Sequence, residues 1–409
     1  MSTWKRTFFI LWSGQAFSLL SSALVQFAII LWVTIETGSA SVLAMATIAG
    51  LVPQIVLGPF IGVWVDRWNR KAIMIAADLF IALCCAVIAL LYRCDLIEMW
   101  HIYLLLAARS VGGSFHFPAM QASVPLLAPE RHLTRIAGIT QALQSISNIA
   151  GPALGALLVS TLPMNQIMWI DVAGAVIASS SLLFIRIPPT PPVEGLKSGS
   201  VIREMLDGLR AIWHDRGLTV LMAMWILFLF FYMPAGALYP LMTYDYFGGT
   251  PFQMGMAEVA FAVGMLMGGV LIGIWGTNHR RVLMIMLACI VNGAAFVFSG
   301  VLPHTGYYWF LVWVVVMGLT VPFFNSPLIS LIQTRIEPGM LGRVFSLFGT
   351  LAILPAPLGL LAAGPVADRI GVNTVFVVVG AMIGAIGIAC FFIPVLMRMD
   401  RELGDVRRR

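Results

Sequence analysis

Apolar residues come in long blocks along the whole chain, and polar residues are gathered into the short stretches between them. Twelve blocks stand out, at 8–34, 42–65, 72–92, 101–127, 134–160, 167–187, 217–244, 253–276, 282–302, 307–333, 341–366 and 374–396. A membrane-crossing helix needs about 20 apolar residues. Lipid offers backbone amides no partner, so blocks of this kind predict helices. One connection differs from the rest. It begins with the Pro-rich "PPTPPVEGLKSGS" and continues as "VIREMLDGLRAIWHDRG", which puts Ile202, Met205, Leu206, Leu209, Ile212 and Trp213 at helical spacing opposite Arg203, Asp207, Arg210 and His214. That pattern predicts an amphipathic helix at the membrane surface. The expected organisation is a six-helix bundle over 1–187, a linker over 188–216, and a second six-helix bundle with a basic tail over 217–409: an all-α membrane protein of twelve spans.

Polar residues inside the blocks form stripes. Gln15, Ser18, Ser22 and Gln26 recur at intervals of three and four in the first. Gln141, Gln144 and Asn148 do so in the fifth, and Arg109, Gly112, His116 and Ser123 lie in the fourth. Such stripes face a bundle interior or a wet cavity, because lipid would leave them unsatisfied. Interhelical hydrogen bonding and substrate contact both account for Gln and Ser.

Composition agrees with lipid as the solvent. Of 409 residues, 60% are hydrophobic and only 10% charged, against roughly 25% charged in soluble domains. The net charge of +6 is no nucleic-acid signature, because the basic residues sit in loops on one side. With the N-terminus inside, 21 of the 24 Lys and Arg are cytoplasmic, which predicts both termini in the cytoplasm. The five cysteines read as small packing residues, since no metal-ligand spacing is present. No metal, cofactor-binding or catalytic pattern appears, so an enzyme is not expected.

The two halves repeat. "GVWVDRWNRK" at 62–71 aligns with "GIWGTNHRRV" at 273–282. The segment from Pro118 aligns with that from Pro327, and Gly151 matches Gly359. The offsets stay between 208 and 211, as in a duplicated transporter whose site lies at the repeat interface.

The stretch Gly62, Asp66, Arg67, Arg70, Lys71 matches G-x-x-x-D-R/K-x-x-R-R/K, and here the chain resembles the major facilitator superfamily. The resemblance implies that Asp66 meets the N-terminus of span 11, near Gly342 and Arg343, and latches the inner side. The fifth span carries Gly138, Ser147, Gly151, Pro152, Gly155 and Ala156, similar to the glycine pattern of the efflux branch, which implies export. A later "GPVADRIG" at 364–371 looks like a displaced copy of the span 2–3 motif with no firm role.

Of the carboxylates within or at the ends of spans, four matter most: Asp78, Asp171, Glu258 and Glu36. A buried carboxyl group can take up and release a proton near neutral pH. Asp78, Asp171 and Glu258, with Arg109, are therefore the proton-coupling candidates, whereas Glu36 reads as interfacial. A static ion pair, such as Asp78 with Arg109, is the alternative. Gln15, Ser22, Gln26, His116, Gln141, Asn148, Tyr232, Tyr239 and Asn325 are the substrate-cavity candidates. Aromatic and Met-rich walls suit a bulky apolar ligand.

The whole is similar to the macrolide-efflux type of drug/proton antiporter. That implies export of an amphiphilic compound powered by the proton gradient, with no cofactor, from a monomer in the bacterial inner membrane, surrounded by lipid and without a nucleic-acid partner. A siderophore or metabolite exporter, a proton-coupled uptake symporter, and a non-transporting receptor or lipid scramblase remain open.

Overall fold

The computed structural model describes residues 3–127, 129, 133–185, 209–210, 212–275, 280–337 and 340–399. Every regular element among them is helical. In the first half these are α1 (Thr3–Thr37), α2 (Ala40–Arg67), α3 (Arg70–Arg93), α4 (Met99–Leu127), α5 (Leu133–Thr161) and α6 (Met164–Leu183). In the second half they are α7 (Arg216–Ala237), α8 (Pro251–Trp275), α9 (Arg281–Gly300), α10 (Tyr307–Arg335), α11 (Leu341–Ile353), α12 (Pro355–Ile370) and α13 (Val372–Phe391). Most of the predicted amphipathic segment, 201–208, lies outside the described residues.

Among the described residues, eleven stretches are long and apolar enough to cross a membrane. The twelfth expected span is α4, which is equally long but carries Arg109, His116 and Ser123. Two expected spans are not continuous helices. The seventh breaks at Leu238, and a π-helical turn over Met242–Tyr246 follows. The eleventh divides into α11 and α12 at Leu354. Both breaks have the same cause: Pro240, Pro355 and Pro357 offer no amide hydrogen to the preceding turn. Elsewhere helix starts are fixed by side chains. Asn69 accepts from the amide of Ala72 at α3, and Asp215 accepts from those of Gly217 and Leu218 at α7, as N-caps do.

The chain clusters into two compact units. The first comprises Met1–Thr37, Met45–Gly195 and Pro251–Gly255; the second comprises Gly38–Ala44, Leu196–Thr250 and Met256–Arg409. The first turns of α2 thus group with the second unit, and the first turn of α8 with the first.

Inside the units, the same packing occurs twice. In the first, α1 packs on α5 and α6, and α3 on α4 and α6; in the second, α7 packs on α12 and α13, and α9 on α10 and α13. Single residues repeat too. A Cβ on Gly151 would lie 2.8 Å from Ala23 of α1, and one on Gly359 would lie 2.3 Å from the Phe230 carbonyl of α7. Arg70 donates to the Ala122 carbonyl of α4, and Arg281 to the Ser330 carbonyl and Thr334 hydroxyl of α10. In each case a cation lies near the carbonyl-rich end of a helix, where it is favoured. Lys71 likewise donates to the carbonyls of Leu183 and Ile185 as α6 ends.

Candidate functional site

The polar stripes of the first unit converge where α1, α3, α4 and α6 meet. Antiparallel packing of α3 on α4 sets two rungs, because Asp78 and Cys85 are seven residues apart on α3, and Arg109 and His116 are seven apart on α4. On one rung, Asp78 faces His116, whose Nε2 is 3.4 Å from Oδ1. Ser18 of α1 donates to that same oxygen at 3.1 Å. On the other rung, Arg109 forms an ion pair with Asp171 of α6. Ser22 donates to Asp171 at 2.7 Å, Ser21 at 3.3 Å, and the Cys85 thiol at 3.3 Å. Arg109 also donates to Cys85 Sγ at 2.8 Å and to the Ser22 carbonyl at 3.1 Å.

This arrangement departs from two expectations. The carboxylate partner of Arg109 is Asp171, not Asp78, because Arg109 stands two turns along α4 from the rung that Asp78 occupies. Cys85 is not merely a packing residue, since its sulfur joins both members of the ion pair. Its place seven residues after Asp78 was the available signal. A buried ion pair survives only with good geometry and further hydrogen bonds, and Ser21, Ser22 and Cys85 provide them. Gln15 is fully buried, one turn before Ser18. Among the described residues, neither atom of its amide has a hydrogen-bond partner, nor has Asp78 Oδ2.

The second unit is aromatic where the first is ionic. A cavity of about 100 Å³ is lined by Trp225, Phe228, Tyr232, Asn292, Thr320 and Asn325, among others. Its walls are stacked rings: Phe228 lies 4.7 Å from Phe324 and 5.1 Å from Tyr232, and Trp225 lies 4.0 Å from Phe348. Asn292, which no stripe pointed to, donates to Thr320 at 2.7 Å and to the Met317 carbonyl at 3.3 Å. Glu258 is half-buried and within electrostatic reach of Tyr232 and Tyr239. Among the described residues it forms no hydrogen bond and no ion pair. Tyr239 itself is buried among Phe261, Phe296, Phe310 and Phe376, with its hydroxyl 3.1 Å from Met317 Sδ.

Other predicted positions are placed individually. Gln26 is half-buried and Asn148 exposed. Gly155 abuts the Leu24 carbonyl of α1, where a Cβ would come within 2.8 Å, and Pro152 lies within α5. The backbones of Gly62, Asp66, Arg67, Gly138 and Gln141 are helical; the side chains of Asp66, Arg67, Gln141 and Arg343 lie outside the description, so the latch expected at Asp66 falls there as well. An apolar groove of about 570 Å³ opens beside Trp68, Asn69, Ile73, Phe80 and Phe115 in the first unit.

The chain matches the Major Facilitator Superfamily over residues 11–352 and 220–405. It is 44% identical over 399 residues to Macrolide efflux protein A of Streptococcus pyogenes, covering 98% of each chain. It is 26% identical over 383 residues to the multidrug efflux pump Tap of Mycolicibacterium fortuitum, covering 90% of this chain and 91% of that one. Among solved structures, a bacterial homologue of the iron transporter ferroportin superposes with a TM-score of 0.74 at 15% identity, over 95% of this chain and 99% of that one; this shows the fold alone. Two matching five-helix packings, a buried polar cluster across four apolar helices and a full-length relationship lead to one conclusion: the chain belongs to the Major Facilitator Superfamily and is a membrane transporter, not an enzyme.

Proposed function

We propose that this transporter exports bulky amphiphilic compounds, macrolides among them, from the bacterial cytoplasm by alternating access coupled to inward proton flow. The observation that carries the export reading is the 44% identity to Macrolide efflux protein A across 98% of both chains. The aromatic walls around Trp225, Phe228 and Tyr232 support an apolar substrate, because stacked rings accept varied apolar shapes. Asp66, with Gly62, Arg67, Arg70 and Lys71, serves in this reading as the inner latch, both termini lie in the cytoplasm, and the monomer is the working unit in lipid.

Coupling rests on a contrast between carboxylates. Asp171 is matched by Arg109, and Asp78 is flanked by His116 and Ser18. Glu258 has no such match among the described residues and lies within electrostatic reach of Tyr232 and Tyr239. Glu258 is therefore the group that exchanges the proton, while Arg109 and Asp171 hold the frame and Asp78 is the second candidate.

Reconstituted vesicles test this. At one proton per substrate, a one-unit pH gradient sustains up to about tenfold macrolide accumulation. Glu258→Gln is expected to bring that ratio to about one while leaving exchange without a gradient intact. Accumulation by Glu258→Gln equal to the parent would exclude Glu258 as the coupling group, and export indifferent to the gradient would exclude proton coupling altogether. A narrower prediction concerns Asp78. Asp78→Asn keeps an acceptor for Ser18 and should retain gradient-driven accumulation within about twofold, provided Glu258 is the sole exchanger; collapse of the ratio instead would transfer the role to Asp78.

A further inference from the structure

The chain contains the pattern G-x-x-x-D-R twice: at Gly62, Asp66, Arg67 near the C-terminal end of α2, and at Gly364, Asp368, Arg369 near the C-terminal end of α12. Within the second unit, Asp368 caps the first turn of α2. Its Oδ1 accepts from the Ala40 amide at 2.6 Å, and its Oδ2 accepts from the Ser41 amide and the Ser39 hydroxyl, each at 3.0 Å. Ser39 itself serves the next two amides. Its hydroxyl accepts from Val42 at 3.4 Å, and its carbonyl from Leu43 at 3.1 Å. The first four amide hydrogens of a helix have no partner within it. Here two of the four depend on a carboxylate more than 320 residues away in sequence.

Gly364 stands one turn before Asp368 and makes the approach possible. A Cβ there would lie 3.0 Å from both Ala44 Cβ and Ser41 Cα. Glycine and aspartate at this spacing form a flat face ending in an anion, aimed at a helix N-terminus where negative charge is favoured. Asp368 is also exposed at its edge, so water can replace it as the cap. A contact of this kind is reversible at low cost, unlike the buried Arg109–Asp171 pair.

We propose that Asp368 is a positioning residue of the transport cycle: it latches the start of α2 at the end opposite Asp66, and the cap breaks whenever that end opens. The proposal rests on alternating access as read above, but not on the substrate or the coupling ion. α2 has 28 residues, so its two ends are about 40 Å apart, and the two copies of the motif act on opposite ends of one helix.

A cysteine pair tests the latch. With the exposed Cys94 replaced by serine, Ser39→Cys and Asp368→Cys are combined and reconstituted. Oxidation is expected to cross-link the pair and stop macrolide exchange, reductant is expected to restore it to the level of the unoxidised pair, and neither single cysteine should respond. A cross-linked pair that exchanges at the reduced rate, or a pair that never cross-links, overturns the proposal. A second readout requires no substrate. Labelling of Ser41→Cys by a membrane-impermeant maleimide should rise about fivefold in Asp368→Ala, the scale of a lost N-cap; unchanged labelling overturns the latch. If macrolides are not substrates, exchange is absent even in the reduced pair while labelling still responds, which separates failure of the functional reading from failure of the latch.

Discussion

Arg109→Met and Asp171→Asn are each expected to destabilise the folded transporter by about 3–5 kcal/mol, the cost of leaving one member of a buried pair uncompensated. Asp171 is 1% exposed and Arg109 is 7% exposed, so neither reaches solvent when its partner is removed. Without Arg109, Asp171 keeps only the donors Ser21, Ser22 and Cys85. Without the Asp171 charge, Arg109 retains the Ser22 carbonyl and the Cys85 sulfur, neither of which balances a cation. The double variant removes both charges at once and should recover at least about 2 kcal/mol of the summed loss, because coupled neighbours are not additive. Unfolding in detergent, followed for the parent, both single variants and the double, measures this directly. Single losses below about 1 kcal/mol that simply add would mean that the pair contributes nothing to the frame. Function offers a separate readout, since a framing role predicts that the folded fraction of the double variant still accumulates substrate under a pH gradient.

That ion pair also shows where the sequence stops being informative. The spans were legible because each is a long, mostly apolar block and lipid permits only helices there. The residues of the polar cluster were legible as stripes, since three- and four-residue spacing puts Gln15, Ser18 and Ser22 on one face. Their pairing was not. Arg109 and Asp171 are 62 positions apart, and which carboxylate meets the guanidinium depends on helix depth. The two rungs are two turns apart, about 11 Å at 5.4 Å per turn, and errors of a few residues in the boundaries of two antiparallel spans add up to that, enough to exchange Asp171 for Asp78. Cys85 was overlooked because a thiol in an apolar block resembles any small packing residue. The breaks at Leu238 and Leu354 were visible only as prolines, since proline within a span can bend a helix or end it. The second G-x-x-x-D-R copy was visible, but its partner at Ser39–Ser41 was not, because no local pattern announces a cap supplied from a distant helix.

Gly293→Val is expected to abolish the folded protein, and even Gly293→Ala should cost about 1–3 kcal/mol through overpacking. Helices α9 and α13 touch backbone to backbone at this point. A Cβ on Gly293 would lie 2.5 Å from the Gly384 nitrogen and 2.6 Å from the Gly380 carbonyl oxygen, and one on Gly380 would lie 2.5 Å from the Gly293 carbonyl oxygen. The contact continues two turns along each helix, where a Cβ on Gly300 would meet the Asn373 carbonyl oxygen at 2.4 Å and one on Gly387 the Met286 carbonyl oxygen at 3.0 Å. At Gly293 the three nearest atoms are all backbone, so no side chain can move aside there and an added carbon must push two helices apart. In lipid, where tails are as apolar as the side chains, helices associate through close packing of this kind rather than through escape from water. Separating them therefore removes much of what joins α9 to α13. The same face supplies its own control. A Cβ on Gly384 would meet nothing within 4 Å, so Gly384→Ala should be neutral or stabilising by up to about 1 kcal/mol from helix propensity. Thermal unfolding of the two alanine variants in one detergent decides the matter: equal stability would show that α9 and α13 can part without loss, and a large deficit confined to Gly293→Ala would show that two helices of the second unit are joined through their bare backbones.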